Sequence, residues 1–541
     1  MKRKLNILLA QLNWIVGDIE NNCERMLKIF KAYTKYTDII MFSELSLTGY
    51  PAEDLIFRMD FKNRCLTQLK RLQTISNNKT AIIVGHPWYE KKNIYNVLSF
   101  FFQGKLLIRY FKQKLLNYGV FDELRYFSTK QTYCVVNFKN YRIGTIISED
   151  ICYNKCIDVL KNKKTELLLT TNALPFSLHK EHYLDKLLIN CCKNINAPVI
   201  YLNQVGGQDE LVFDGNSKII TNNGKQIYNF ARFKEQIDTI SFNNLSLIKK
   251  FQKIKKTSTI ANIYQALVMA TKDYFNKNKF EKIILGLSGG IDSGITTTIA
   301  VDAVGQDRVQ AVMMPFRYTT EASINNAKTQ ANLLKIEFNI ISIEPIFDIL
   351  ITQLHTIIKN IKQESIVTEN LQARCRAIIL LAISNKFNSL ILTTSNKSEV
   401  AVGYSTLYGD TAGGFNVLKD ISKTLVFKLA KYRNTISQVI PKSIINRKPS
   451  AELSNNQFDQ DTLPPYNILD QIIKGYVEKD LSENELIKLR FDKKIVQKVI
   501  SLINFYEYKR RQSPIGPKIT TRSFGKDRRY PITSSFNNKN R

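Results

Sequence analysis

Residues 282–300, KIILGLSGGIDSGITTTIA, decide the fold of the second half of the chain. The apolar run at 283–285 is typical of a buried strand, and the segment from Thr296 onward is typical of a helix. The glycine-rich loop between them can bring backbone N–H groups close to an anion, and the N-terminus of the helix adds further unpaired N–H groups. We therefore predict a strand, loop and helix that together hold phosphate.

The loop at 288–293, Ser-Gly-Gly-Ile-Asp-Ser, lacks the Gly-Lys-Ser/Thr ending of a Walker loop. It resembles the loop of the ATP pyrophosphatases, which hold the pyrophosphate leaving group of ATP while AMP is passed to a carboxylate or carbonyl. The alternative is a glycine-rich turn with a helix cap and no ligand. Because the loop residues match in order and follow a strand, the phosphate site is the favoured interpretation.

Length and composition indicate the class of protein. A chain of 541 residues is too long for one hydrophobic core and predicts two to four domains. No apolar run in the sequence is long enough to span a bilayer. The basic start of the chain is more typical of a first strand than of an export signal, and the eight cysteines are scattered without zinc-type pairs. We therefore expect reduced thiols and a cytoplasmic protein.

The formal net charge of +31 could indicate a nucleic-acid or membrane partner. However, the Lys and Arg residues are spread along the chain and are not gathered in one arm. We therefore expect a solvated basic surface and polyphosphate substrates, with no nucleic acid and no membrane as partner. A nucleic-acid-binding protein remains the alternative from a different class, and salt-dependent RNA binding would support it.

The first 235 residues contain repeated short β-like runs with helical patterns between several of them. This layout predicts an α/β fold in which helices cover sheets. The predicted strands are 5–12, 37–42, 81–85, 97–103, 142–147, 166–171 and 198–203, the predicted helices are 22–35 and 183–194, and a hairpin turn is predicted at Gly224.

Glu44, Lys112 and Ser148 each follow one of these β-like runs. Glu, then Lys, then a residue just before Glu-Asp resembles the nitrilase family of amide hydrolases, whose fold is an α-β-β-α sandwich. The resemblance implies that Glu44 is a general base, that Lys112 stabilises the tetrahedral oxyanion, and that Ser148 occupies the nucleophile position. It also implies that glutamine is contacted at Tyr118, Leu174 and Lys180. The alternative is three strand ends with ordinary polar residues.

The departures from that family concern the chemistry itself. The family has Ile-Cys-Glu-Asp where this chain has Ile-Ser-Glu-Asp, so the nucleophile position carries the Ser148 hydroxyl. Leu174 stands where the family has a serine that helps to bind glutamine, and Leu116 replaces a usual proline. A serine hydroxyl needs a strong, well-placed base, and no histidine lies in these motifs. A single change could mark an engineered inactive variant, but three losses predict a domain that has drifted from use.

The second half alternates strands and helices in the manner of a doubly wound parallel sheet, which binds ligands at the carboxyl ends of its strands. We place the first domain at 1–240, a basic linker at 241–258 and the second domain at 259–541. The predicted strands are 283–287, 309–314, 337–343 and 389–394, and the predicted helices are 294–303, 321–334, 346–361 and 370–387.

Two further motifs extend the resemblance. The sequence Thr-Ser-Asn-Lys-Ser-Glu at 394–399 follows a predicted strand, and 404–419 is glycine-rich. The second half resembles NAD synthetase along nearly its whole length, with an adenine nucleotide alpha hydrolase-like fold. The two halves together resemble the bacterial glutamine-dependent NAD synthetases. This resemblance implies ATP-dependent amidation of deamido-NAD to NAD through an acyl-adenylate, with AMP and pyrophosphate released, and a homo-oligomer. The alternatives are a GMP synthetase-like or tRNA-modifying ATP pyrophosphatase.

By the same resemblance, Asp292 and Glu399 would hold Mg²⁺, which prefers hard oxygen ligands. Lys419 and the segment 516–520 would close over phosphates. The residues implied to bind ATP are Gly286, Leu287, Ser288, Gly289, Gly290, Ile291, Asp292, Ser293 and Thr394. Those implied to contact deamido-NAD are Asn370, Arg374, Glu399, Tyr404, Ser405, Thr406, Leu407 and Lys518. Glutamine or ammonia would supply the nitrogen.

Overall fold

The computed structural model describes residues 4–77, 79–132, 134–178, 180–243, 246–248, 257–358, 365–455 and 457–536. The chain divides into two compact units, Met1–Thr257 and Ser258–Arg541. Within the described ranges, no helix combines the length and the apolar character needed to cross a bilayer.

The described residues of the first unit form two sheets, a short two-stranded ribbon and five α-helices. Its strands are β1 Leu5–Gln11, β2 Ile39–Met41, β3 Ala81–Glu90, β4 Asn93–Phe102, β5 Lys105–Phe111, β6 Val135–Phe138, β7 Tyr141–Ile147, β8 Leu167–Asn172, β9 Val199–Asn203, β10 Val205–Gln208, β11 Leu211–Asp214, β12 Lys218–Ile220, β13 Gln226–Asn229, β14 Gln236–Asn243 and β15 Ser246–Ile248. Its helices are α1 Ile19–Tyr33, α2 Met59–Ile75, α3 Glu123–Tyr126, α4 Asn154–Asn162 and α5 Lys180–Ile195. The larger sheet has the order β15-β14-β1-β2-β3-β4-β5, and the second has the order β13-β12-β9-β8-β7-β6.

The alternation of side chains along the strands builds four layers. Ile7 on one face of β1 shares a core with Ile143 of the second sheet. Leu8 on the opposite face of β1 packs with residues of α1 and α2. On the outer side of the second sheet, a Cβ added to Gly144 would lie 2.5 Å from Leu160 of α4. These layers form the α-β-β-α sandwich predicted from the sequence.

Strand direction brings the predicted catalytic residues to strand ends. In the larger sheet, β1, β2 and β3 are parallel, and β5 shares their direction because β4 is antiparallel to both β3 and β5. Glu44 follows β2 and Lys112 follows β5, so both lie at the same edge of this sheet. Ser148 directly follows β7, which is parallel to β8 and β9 in the second sheet.

Each strand and helix predicted in this half has a counterpart. The elements that were not predicted are β5, β6, β14, β15, the β10–β11 ribbon, α2, α3 and α4. Residues 241–243 and 246–248, which the sequence placed in a linker, lie instead in β14 and β15. The reason is that β14 pairs along its whole length with β1. Residues 244–245 and 249–256 of the predicted linker lie outside the described residues.

The second unit has one five-stranded sheet in which all strands are parallel. Its strands are β16 Lys282–Gly286, β17 Val309–Met313, β18 Glu337–Ile340, β19 Ser389–Thr393 and β20 Phe415–Asn416, in the order β18-β17-β16-β19-β20. Its described α-helices are α6 Thr259–Lys277, α7 Ile291–Val304, α8 Glu321–Leu334, α9 Glu344–Leu354, α10 Ile366–Phe387, α11 Lys397–Val402, α12 Lys423–Ile436, α13 Lys442–Asn446, α14 Tyr466–Ile473, α15 Glu483–Lys488, α16 Lys493–Phe505 and α17 Glu507–Gln512.

The strand order reverses at β16. The chain passes from β16 to β17 and β18 on one side, and then returns to β19 and β20 on the other side. Such a reversal opens a crevice at the carboxyl ends of the strands, where ligands bind. The loop at 288–293 follows β16 and Thr394 follows β19, so both lie at this crevice. The doubly wound parallel sheet predicted from the sequence is therefore present.

Several helix boundaries in this unit differ from the prediction, and the end of α9 and the start of α10 differ most. Helix α9 ends at Leu354, although the pattern predicted a helix to residue 361, and residues 359–361 lie outside the described ranges. Helix α10 begins at Ile366 and not at residue 370, because the Ser365 side chain caps it by accepting a hydrogen bond from Thr368 N. The start of a helix depends on such local hydrogen bonds more than on hydrophobic periodicity.

Gly85 on β3 lies directly against the loop that carries Glu44. A Cβ added to Gly85 would lie 2.4 Å from Leu45 N and 2.6 Å from Ser43 O. We expect Gly85→Ala to lower the free energy of unfolding of the first unit by roughly 1–3 kcal/mol, because backbone must move to make room. Denaturant unfolding followed by circular dichroism measures the change. The control is Gly104→Asn, since Gly104 has φ +69° and open space around its Cα. Equal stability of both variants would contradict the expectation.

Candidate active sites

A lysine between two glutamates forms the centre of the first site. The Lys112 ammonium donates hydrogen bonds to Glu44 Oε1 at 2.7 Å and to Glu123 Oε1 at 2.8 Å, and all three side chains are almost fully buried. Burial alone would lower the pKa of Lys112, but the Glu123 and Glu44 carboxylates raise it well above its usual value. Lys112 is therefore held as a cation. Glu123, at the start of α3, was not predicted from the sequence, because nothing in its local pattern separates it from a surface glutamate.

Two further hydrogen bonds hold the Glu44 carboxylate. The Asn96 side chain donates to Glu44 Oε1 at 2.8 Å, and Ala173 N donates to Glu44 Oε2 at 3.0 Å. The second bond joins the end of β8 to the loop after β2. Glu44 is thus fixed in position from three sides of the site.

Asp150 joins the turn at Ser148 to the loop that carries Lys112. Its carboxylate accepts hydrogen bonds from Lys114 N at 2.7 Å and from the Tyr110 hydroxyl at 2.8 Å, and burial raises its pKa to about 7. Ser148 begins a short 3-10 helix with φ +50° and is nearly buried. The structure therefore brings the three predicted catalytic positions to one region of the first unit.

The Ser148 hydroxyl has no hydrogen-bond partner among the described residues. Of the four histidines, His179 lies outside the described residues, and His86 is buried with its ring bonded to Ser99 Oγ at 2.8 Å. Burial lowers the pKa of His86 to about 3, so this ring is neutral. His182 and His355 are exposed, and none of the three described histidines makes a hydrogen bond with Ser148.

The three predicted glutamine contacts have different surroundings. The Tyr118 hydroxyl donates to the Glu149 carboxylate, and the Tyr118 side chain is half exposed. The backbone of Leu174 is held by the Asn203 amide, at 2.9 Å from Leu174 N. Lys180 begins α5, and its ammonium lies 5.5 Å from the centre of the Phe121 ring. Leu174 offers no hydroxyl to a polar ligand.

The crevice of the second unit contains a cavity of about 890 Å³. Most of the residues implied by resemblance line it, but Gly289, Arg374, Leu407 and Lys518 do not. Those that line it are Gly286, Leu287, Ser288, Gly290, Ile291, Asp292, Ser293, Asn370, Thr394, Glu399, Tyr404, Ser405 and Thr406.

Hydrogen bonds within the glycine loop hold its shape, and residues of the loop line the cavity. Ser293 Oγ accepts a hydrogen bond from Ser288 N at 3.2 Å, and Ser288 Oγ accepts one from Gly290 N at 3.3 Å. Gly289 has φ +80°, and a Cβ there would lie 2.2 Å from Ser323 O, so only glycine fits. Helix α7 begins directly after this loop, and its N-terminal N–H groups favour an anion.

A second buried lysine joins the ends of three helices at this cavity. The Lys423 ammonium donates to Asp292 Oδ2 at 2.6 Å and to Glu399 Oε1 at 3.0 Å. The Asn396 side chain donates to Asp292 Oδ1 at 2.9 Å. Burial raises the pKa of Glu399 to about 7, although Lys423 opposes this shift. Burial would lower the pKa of Lys423, but Asp292 and Glu399 raise it well above its usual value.

Sequence reasoning did not find Lys423. One signal was available, because a lysine in the first turn of α12 is unfavourable for the helix dipole and needs a reason. The two carboxylates that it joins are the candidate metal ligands. In the described residues, no group of three or more His, Cys, Asp or Glu could hold a metal ion by itself. Asp292 and Glu399 are two carboxylates that face one cation, the Lys423 ammonium, and such a pair nevertheless fits Mg²⁺. In proteins Mg²⁺ keeps several waters and takes its other ligands from phosphates.

Three further charged residues of the cavity were also missed. Arg376 Nε donates to Met314 O at 3.1 Å, and burial lowers its pKa to about 10. The Lys509 ammonium donates to Ser405 O at 2.7 Å. Burial raises the pKa of Asp410 to about 6. Arg376 was inside a predicted helix and Lys509 far along the chain, so sequence spacing gave no reason to join them.

Lys518 does not line the cavity, and its predicted contact with deamido-NAD stays a prediction. The Lys518 ammonium is buried, lies 2.6 Å from Asp527 Oδ2 and also donates to Thr520 O and Thr521 O. Its charge and its three N–H groups are therefore used inside the fold. Lys419 likewise donates to Pro514 O at 2.6 Å.

Arg374 and Leu407 also lie outside the cavity lining. Arg374 is exposed on α10, and its Nε donates to Leu407 O at 3.3 Å. Arg374 and Arg376 are two positions apart on one helix, so their side chains point in nearly opposite directions. The helix therefore presents Arg376 to the cavity and Arg374 to solvent.

The fold and the two sites define a class of protein: an amidase-type sandwich joined to a nucleotide-binding unit that has the phosphate loop of an amide-forming ligase. The chain matches the carbon-nitrogen hydrolase family over residues 7–249 and the NAD synthase family over residues 263–513. It belongs to the family of glutamine-dependent NAD(+) synthetases.

Relatives match along the whole chain. The glutamine-dependent NAD(+) synthetase of Acinetobacter baylyi is 43% identical over 538 residues, covering 99% of each chain. That of Aquifex aeolicus is 41% identical over 566 residues, covering 98% of this chain and all of the other. The solved glutamine-dependent NAD+ synthetase of Acinetobacter baumannii in complex with ADP is 40% identical, covers 98% of both chains and has a TM-score of 0.80.

Removing the Lys423 cation should destabilise the second unit in a pH-dependent way. We expect Lys423→Met to lower the free energy of unfolding by about 3–5 kcal/mol near pH 8, because two carboxylates are left buried without their counter-ion. The loss should shrink towards pH 5.5. Since the native pKa of Glu399 is above its usual value, Glu399 takes up a proton as the pH falls and no longer needs the cation.

Thermal unfolding between about pH 5 and 8 measures this effect. The matched control is Lys428→Met on the same helix, since Lys428 is exposed and its removal should change the unfolding temperature little at any pH. A loss of stability for Lys423→Met that does not vary with pH would contradict the arrangement of charges described here.

Proposed function

We propose that this chain makes NAD⁺ by ATP-dependent amidation of deamido-NAD and that it uses ammonia, not glutamine, as the nitrogen donor. The observation that carries the second part is a hydroxyl at position 148 without a described hydrogen-bond partner, in the same region of the first unit as a lysine already bound by two glutamates. Formation of a homo-oligomer and a cytoplasmic location stay predictions from the sequence.

The reaction in the second unit has two steps. A carboxylate oxygen of the nicotinate attacks the α-phosphorus of ATP, and pyrophosphate leaves. Ammonia then attacks the carboxyl carbon of the acyl-adenylate, AMP leaves, and the amine loses a proton to give the amide. The first step turns a poor acyl donor into a good one, so the main task of the protein is to stabilise the charge on departing pyrophosphate.

We assign that task to the loop at 288–293 and to the residues around Asp292. Residues of the loop and of the first turn of α7 line the cavity, and the unpaired N–H groups of a helix N-terminus suit pyrophosphate oxygens. Asp292 and Glu399 would hold Mg²⁺, which when bound neutralises charge on the phosphates. Lys423 lies between the same carboxylates and would place its own positive charge next to the phosphates. Thr394, at the end of β19, would complete the ATP site.

The dinucleotide would occupy the remaining length of the cavity. Asn370 and Thr406 are joined there by a 2.8 Å hydrogen bond between their side chains, next to Tyr404 and Ser405. The negative phosphates of deamido-NAD need cations, and of the six cations that line the cavity we assign Arg376 and Lys509 to this role. We propose Lys509 for the role that resemblance had suggested for Lys518.

The first unit keeps the charges of an amidase but lacks its nucleophile. Lys112 is held as a cation and cannot take a proton from Ser148. The pKa of a serine hydroxyl is far above that of a thiol, so a neighbouring cation leaves almost none of it ionised at neutral pH. Leu174 in addition puts an apolar group where a polar substrate would need a partner. These points support the loss of glutamine hydrolysis.

The products distinguish this mechanism from an ordinary kinase reaction. With ATP, magnesium, ammonium and deamido-NAD, we expect release of AMP and pyrophosphate, measured by chromatography and a coupled pyrophosphate assay. Asp292→Asn should lower kcat at least about 100-fold with either nitrogen donor, because it removes a carboxylate that would hold Mg²⁺ and that pairs with Lys423. ADP as the main product, or near-normal activity of Asp292→Asn at saturating magnesium, would overturn the assignment.

The nitrogen donor is tested by rebuilding the first site. The unmodified chain should form NAD⁺ from ammonium and little or none from glutamine. Ser148→Cys should recover part of the glutamine reaction, because Glu44 and Lys112 are already in place for a thiol. Ser148→Cys with Leu174→Ser should recover more.

Ser148→Ala is the control and should leave both rates unchanged. If the unmodified chain instead used glutamine as fast as ammonium, and Ser148→Ala stopped only the glutamine reaction, Ser148 would be a working nucleophile and ammonia dependence would be wrong.

A further inference from the structure

The segment after Lys518 packs against the two helix starts that carry Glu399 and Lys423. Phe524 of this segment shares a core with Val400 and Val402 of α11. The polar contacts of residues 519–522 converge on two buried side chains, Lys397 and Asp420, which no mechanism described above uses.

Lys397 is the first residue of α11 and is 1% exposed. Its ammonium lies 2.8 Å from Asp420 Oδ1, 2.8 Å from Glu478 Oε1 and 2.7 Å from Thr520 Oγ1. A cation at the N-terminus of a helix is unfavourable for the helix dipole, and a buried cation is costly unless it is paired. Its position therefore depends on these partners.

Asp420 holds the same segment from the other side. Its Oδ2 accepts hydrogen bonds from Ile519 N at 2.7 Å and Thr520 N at 2.6 Å, and its Oδ1 lies 2.9 Å from Thr520 Oγ1. Thr520 thus contacts Lys397 and Asp420 at once. Asp420 lies three positions before Lys423, at the start of α12.

Lys397 and Glu399 are two positions apart on α11, so their side chains leave the helix on nearly opposite sides. One anchors the helix in the interior while the other faces the cavity. Because α11 has only six residues, it has little stability of its own and its orientation depends on such anchors. Moving Lys397 or Asp420 would change how Glu399 and Lys423 are spaced around Asp292.

We propose that residues 519–522 act as a brace that sets this spacing through Lys397 and Asp420, and that Lys397 is a positioning residue for the nucleotide step. The proposal rests on the proposed function, in which Asp292, Glu399 and Lys423 surround the phosphates of ATP. None of residues 519–522 lines the cavity. The brace therefore acts through the orientation of α11 and α12.

The test uses the full chain and the pair Thr520→Val and Thr520→Ser. Valine keeps the shape and removes the hydroxyl that contacts Lys397 and Asp420, whereas serine keeps the hydroxyl. We expect Thr520→Val to weaken ATP binding measured by calorimetry about 10-fold and to raise KM for ATP similarly, while KM for ammonium stays the same. Thr520→Ser should bind ATP like the unmodified chain. Lys397→Met should act in the same direction as Thr520→Val.

The control variant Arg433→Met distinguishes a specific effect on ATP binding from a general loss of stability. Arg433 is buried and makes a bidentate pair with Asp302 at 2.7 and 3.0 Å, away from the cavity lining. This variant should lower the unfolding temperature but leave ATP affinity unchanged. The brace is wrong if Thr520→Val binds ATP normally, or if Arg433→Met weakens ATP binding as much. Because ATP affinity is measured without turnover, an unmodified chain that binds ATP but forms no NAD⁺ would overturn the proposed function alone.

Discussion

The Lys423 ammonium, held between the Asp292 and Glu399 carboxylates, is the interaction on which the site of the second unit depends. It joins the starts of α7, α11 and α12, which are separated by up to 131 positions in the chain. Buried charges are costly unless they are paired and hydrogen-bonded. The cluster of Lys423, Asp292 and Glu399 is therefore stable only because neighbouring contacts hold each of the three side chains. Asn396 and the buried pair of Lys397 with Asp420 are contacts of this kind.

The first unit repeats this arrangement with Lys112 between Glu44 and Glu123, but its chemistry differs. Removing any one of these charges would leave another buried without a partner, at a cost of several kcal/mol. A change between a thiol and a hydroxyl at position 148 disturbs the packing far less than the removal of one of these charges. The structure therefore needs the charges of Glu44, Lys112 and Glu123 whether or not glutamine is hydrolysed, and their presence is not evidence of hydrolysis.

The cavity that we assign to ATP and deamido-NAD is lined by charges of both signs. Six cations line it, and both of these substrates are polyanions. The cations are Arg376, Lys423, Arg447, Lys448, Lys498 and Lys509. Seven carboxylates line it as well, namely Asp292, Glu369, Glu399, Asp410, Glu452, Asp459 and Asp461. The cavity therefore has no formal excess of positive charge, and the net charge of +31 arises from other parts of the chain.

The sequence by itself determined the order of strands and helices, the phosphate loop, and the positions of Glu44 and Lys112, because each depends on a local pattern at a fixed spacing. It also showed the serine at position 148. Only the tertiary structure decided that Glu123 and Lys423 are members of the sites and that Lys509, not Lys518, faces the cavity. The physical reason is that a buried charge acts through the groups within a few ångströms of it, and those groups come from distant parts of the chain that only packing brings together.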